Sequence, residues 1–78
     1  MCDLCTDIRK VAPNCTIHCD DDTTIIIFDV ALSLGIAKIS KKFQIWIDGN
    51  SPVGSETFRQ LIRVVDLLLE KGYSEVVE

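Results

Sequence analysis

Basic side chains, histidine and glycine are all scarce in this 78-residue chain, and each shortage closes off a class of activity. Eight Lys and Arg stand against twelve Asp and Glu, for a net charge of −4. A surface of that sign is a poor default partner for nucleic-acid phosphate or anionic lipid. The four glycines, Gly35, Gly49, Gly54 and Gly72, are scattered, so the glycine-rich phosphate loops are missing. His18 is the one histidine available to activate a nucleophile, and on a strand its neighbour Cys19 points to the opposite face. The longest apolar run is Ile25-Ile26-Ile27-Phe28, far below the roughly 18 residues of a membrane-spanning helix. The N-terminus shows neither a basic nor an apolar leader segment, which makes the cytoplasm the expected compartment. No enzyme class survives these shortages, and a non-enzyme is expected.

What is present is an ordinary globular composition, 47% hydrophobic and 26% charged, over a length suited to one domain, residues 1–78. Apolar residues at Leu4, Ile8, Val11 and Ala12 fall on one helical face, with Asp3 and Asp7 early and Arg9 and Lys10 late. Pro13 stops that helix. Thr16 to Asp20 reads as a short strand, Asp20-Asp21-Asp22 as a turn, and Thr23 to about Ser33 as the strongest strand. Leu34-Gly35 offers a turn. Ile36–Ile39 and Phe43–Asp48 are extended segments separated by Ser40-Lys41-Lys42, where a bulge or turn is needed to keep Lys41 out of the core. A helix over Ala31–Lys42 competes, because Leu32, Ile36, Ile39 and Phe43 also fit helical spacing.

After the loop from Asp48 to Gly54, a long helix is predicted from Ser55, as N-cap, to Lys71. Its buried stripe is Phe58, Leu61, Ile62, Val65, Leu68 and Leu69, widened by Val64 and Leu67. Gly72 suits a left-handed C-terminal position, with Tyr73 folding back on Leu69. Ser74 to Glu78 is a tail or a small extra strand. The order α-β-β-β(-β)-α predicts an α+β two-layer sandwich, an antiparallel sheet covered on one face by two helices.

All four cysteines, Cys2, Cys5, Cys15 and Cys19, fall in the first 19 residues. Cysteine and histidine are preferred zinc ligands, so a small zinc-stabilised adaptor using these four, with His18 in reserve, is one reading. On a strand, however, Cys15 and Cys19 lie roughly 13 Å apart, too far for one ion. A Cys2-Asp3-Leu4-Cys5 redox pair is another reading, though no strand precedes it. The favoured reading makes Cys5, Cys15 and Cys19 small core hydrophobes, with no cofactor.

Strand alternation sorts the sheet into two faces. Cys15, Ile17, Cys19, Ile26, Phe28, Val30, Phe43, Ile45 and Ile47 should pack under the helices. Thr16, His18, Ile25, Ile27, Asp29, Gln44, Trp46 and Asp48 should face water. Exposed isoleucine and tryptophan clusters mark interfaces, so Ile25, Ile27, Asp29, Gln44, Trp46 and Asp48 form the expected partner-binding set. The acidic flank favours a protein partner with a basic surface, and a homodimer is a further option.

Two resemblances follow. The α-β-β-β-α order resembles, in topology alone, the double-stranded RNA-binding domain, in which a basic cluster opening the second helix grips phosphate. Here Ser55-Glu56-Thr57-Phe58-Arg59-Gln60 holds one acid and one base, so no nucleic-acid partner is expected. In size, acidity and the lack of a catalytic set, the chain is similar to phage-encoded viral inhibitors of host machinery such as the anti-CRISPR proteins, which occupy nucleic-acid-binding surfaces by acidic mimicry. The expected function is a small acidic inhibitor of that kind, acting as a protein-binding module, with the zinc adaptor and the thiol redox protein as alternatives.

Overall fold

A computed structural model describes residues 3–50 and 52–76. They run α1 (Asp3–Val11), β1 (Thr16–Cys19), β2 (Thr23–Asp29), β3 (Leu32–Ala37), β4 (Lys42–Ile47), α2 (Ser55–Glu70) and β5 (Ser74–Glu75). The strands form one sheet in the order β1-β2-β3-β4-β5. Pairing is antiparallel through β4, while β5 lies parallel to it, with Lys42 opposite Ser74 and Phe43 opposite Glu75. The fold is therefore the expected α+β type, with a mixed sheet in place of an antiparallel one.

One core joins the layers. Leu4, Ile8 and Ala12 of α1 and its exit, Ile26, Leu32, Leu34, Ile36 and Phe43 of the sheet, and Leu61, Val64 and Leu68 of α2 make one buried cluster. Both helices thus cover the same side of the sheet. An ion pair between Lys71 Nζ and Asp7 Oδ2, 2.7 Å long, links the end of α2 to α1.

The largest correction concerns residues 30–42. The strong β2 strand stops at Asp29, and the chain turns at Val30-Ala31. Gly35 then sits in the middle of β3 instead of in a turn. The reason is a strict alternation: Leu32, Leu34 and Ile36 are buried while Ser33, Gly35 and Ala37 face the other way. The competing helix would strand Leu34 outside the core. Ile39, needed on its apolar face, is exposed in the turn at residues 38–41, where Lys41 takes a positive φ of 55°. That turn resolves the parity conflict at Lys41.

In α2 the N-cap is Gly54 rather than Ser55, and no side chain caps the first turn. At the other end, Gly72 has φ 90°. Its N–H donates to the Leu69 carbonyl at 3.1 Å and that of Tyr73 to the Leu68 carbonyl at 2.9 Å. This is the Schellman closure that a left-handed glycine permits. Tyr73 packs against the core as its backbone returns to Leu68, not Leu69. The buried meridian is Leu61, Val64 and Leu68, with Val65 and Leu67 packed beside it, whereas Phe58, Ile62 and Leu69 are exposed.

Candidate functional site

The sheet face away from the helices is built in three cross-strand rows. Register places Thr16, Ile27, Ser33 and Trp46 in one row and His18, Ile25, Gly35 and Gln44 in the next. The third holds Thr23, Ala37, Lys42 and Ser74. Ile25, Ile27 and Trp46 are 43%, 37% and 48% exposed, as their parity requires. Among the three outward positions of β3 the side chains are small, so the face is a furrow walled by β2 and β4.

The Trp46 ring crosses this furrow and lies on Gly35: a Cβ built on Gly35 would stand 2.5 Å from two ring carbons. Beside the ring is a pocket of about 270 Å³, lined by Ile25, Gly35, Ala37, Gln44, Trp46 and Val76 among others. The face is charged oppositely at its two ends. The Lys42 ammonium, which donates to Ser74 Oγ at 3.0 Å, stands at one end. At the other, Asp48 follows Trp46 and Ile47, with its backbone N–H held by the Ala31 carbonyl at 2.8 Å and its carboxylate accepting from the Asn50 N–H at 3.0 Å. Six strand positions separate them, about 20 Å at 3.3 Å each.

Of the expected contact residues, Ile25, Ile27, Gln44 and Trp46 come together on this face, with Asp48 at its end. Asp29 does not join them. The register shifts after Ile27, so Asp29 pairs with the buried Leu32 and leaves the outward row. Its carboxylate accepts from the Val30 N–H instead. The expected inward set also loses members. Val30 lies in the turn and is 98% exposed, while Ile47 opposes Leu32 but is exposed at the strand's end. Cys19 is exposed because it ends the edge strand β1.

The cysteines occupy three environments. Cys5 is buried, with its thiol 3.9 Å from Thr24 Oγ1, and the Cys19 thiol approaches the same hydroxyl at 3.5 Å. Lys38 Nζ donates to Cys19 Sγ at 3.1 Å and to the Asp20 carbonyl. The Cys15 thiol donates to the Ala12 carbonyl at 2.9 Å, and burial pushes its pKa up. The core reading thus describes Cys5, half-describes Cys15 and misplaces Cys19. Cys2 lies outside the described residues. Among the described residues no group of three or more His, Cys, Asp or Glu is gathered as a metal site.

Sequence reading missed a second apolar surface. Phe58, Ile62 and Leu69 form an exposed stripe on α2, opposite in the molecule to the furrow. The signal was available: the apolar residues of this helix occupy more of its circumference than one sheet face can cover. Among the described residues no helix is long and apolar enough to cross a membrane. Neither the family models, nor the curated proteins, nor the solved structures compared with this chain give a match.

Proposed function

We propose that this protein is a non-enzymatic binding module that docks another protein on the open face of its sheet. One observation carries the reading: Ile25, Ile27 and Trp46 gather on a face that the helices leave uncovered. Aromatic and aliphatic anchors grouped beside a pocket are where binding energy concentrates in protein interfaces. The cytoplasm is the proposed setting, and an inhibitor of the acidic phage type remains the proposed class. The mixed charge of the face changes one part of that reading. With Asp29 turned away and Lys42 present, the furrow itself does not select a uniformly basic partner.

The test is Trp46→Ala. About half of the ring is already in water, so its removal costs the fold about 1–1.5 kcal/mol, half of a full burial. Circular dichroism should show a folded chain, and association through the face should weaken by about 1–2 kcal/mol or more. Proteins retained by wild type and by the helix variant Ile62→Glu, but lost with Trp46→Ala, are the expected result. Equal retention by Trp46→Ala, or a wild-type chain that binds no protein including itself, overturns the proposal. So does unfolding of the variant, which would make the ring part of the core.

A further inference from the structure

We infer that the occupant of this face is a second copy of the chain, packed face to face about a two-fold axis that runs across the strands between the Gln44 and Trp46 rows. Such a dimer presupposes the docking face described above and gives it one occupant. A two-fold axis lying in the interface keeps each strand over its own counterpart and reverses its direction. Ile25 then lies over the partner's Ile27, and Ile27 over the partner's Ile25, so the apolar wall of β2 meets itself. The two Trp46 rings, each leaning over Gly35 toward the axis, meet at the centre and supply the bulk that the small residues of β3 lack.

Charge decides between this and other pairings. Lys42 and Asp48 lie three positions on either side of Ile45, at the level of the axis. Reversing the strand direction brings Lys42 over the partner's Asp48 at one end and repeats the contact at the other. A wholly basic partner would meet Lys42 as a like charge, and a wholly acidic one would meet Asp48; a second copy satisfies both ends. The net −4 of each copy opposes approach at long range, but at 0.15 M salt that repulsion is screened beyond about 8 Å while the end pairs act at contact.

The area sets the strength. Four strands about 4.8 Å apart and three rows cover roughly 20 by 20 Å on each copy. This is at the small end of specific interfaces, which bury about 1,200–2,000 Å² in total, so the dimer is weak, with a Kd on the order of 10–100 μM.

Sedimentation equilibrium of the wild-type chain at physiological salt, from about 5 to 500 μM, a range bracketing that Kd, should show a monomer–dimer equilibrium. Lys42→Asp and Asp48→Lys should each weaken it at least tenfold, because each sets like charges opposite one another at both ends. An equimolar mixture of the two variants should associate as well as wild type, since the introduced carboxylate of one meets the introduced ammonium of the other. The neutral variants Lys42→Gln and Asp48→Asn should weaken it a few-fold, and they carry the test if a reversal disturbs the fold. A wild-type chain monomeric throughout, a dimer indifferent to both reversals, or a mixture no tighter than its separate components overturns the inference. So does a dimer dissociated by Ile62→Glu alone. If the chain is monomeric yet still retains another protein in a Trp46-dependent way, self-pairing falls and the docking face stands.

Discussion

A Cβ on Gly35 and the Trp46 ring cannot share the floor of the furrow, since they would stand 2.5 Å apart. Gly35 has no positive φ, so alanine there meets no backbone strain; the whole conflict is with the ring. Gly35→Ala should therefore leave the sheet signal in circular dichroism intact and lift the indole off β3. The chain has one tryptophan, so the effect reads directly as a red-shifted emission and easier acrylamide quenching. An unchanged spectrum would mean that the ring does not rest on Gly35. The outward direction of Trp46 was legible because Phe43, Ile45 and Trp46 alternate cleanly along β4. Its resting place was not, since a glycine read as a turn gives no hint that it is a seat for an indole.

The strands differ in how much of themselves they declare. The strand β2 was legible in type because Ile25 to Phe28 are β-branched or aromatic, but its end was not. Val30-Ala31-Leu32 continues the apolar run through the turn, and the register shift that sends Asp29 to the buried side depends on the partner strand. For β3 the difficulty was the opposite: Leu32, Leu34 and Ile36 fit a strand while Leu32, Ile36 and Ile39 fit a helix, and burial by α1 and α2 decided it. The β3–β4 turn then ends on Lys41 with φ 55°, a conformation that costs a side-chain-bearing residue about 1–2 kcal/mol. Glycine at that position removes the strain and gives back part of it through a freer unfolded chain. Lys41→Gly should raise stability by about 0.5–1 kcal/mol, seen as a higher urea midpoint with unchanged slope. In α2 the period was plain and the rotation was not: eight apolar positions define a helix but leave its buried meridian to be fixed by the sheet beneath.

Across the whole molecule, the layers are held by one thin core and by the Asp7–Lys71 pair between the helices. The hydrogen bond from Lys71, more than its charge alone, holds the Asp7 carboxyl below its ordinary value, against a smaller opposing effect of desolvation. A carboxyl depressed on folding stabilises the folded state above its unfolded pKa, and that contribution disappears as pH falls through the folded value. Lys71→Met should accordingly make stability less dependent on pH on the acid side, below about pH 4, when unfolding is followed by urea titration across pH. A wild-type acid limb that the variant reproduces would show the pair to be idle. The ends of α2 are fastened unequally. Its tail is knotted by Gly72 and Tyr73 to the Leu69 and Leu68 carbonyls, while the turn after Gly54 has no side chain to hold its amides. Warming will therefore unravel this helix from Ser55 inward, and the knot beside the sheet will be the last of it to loosen.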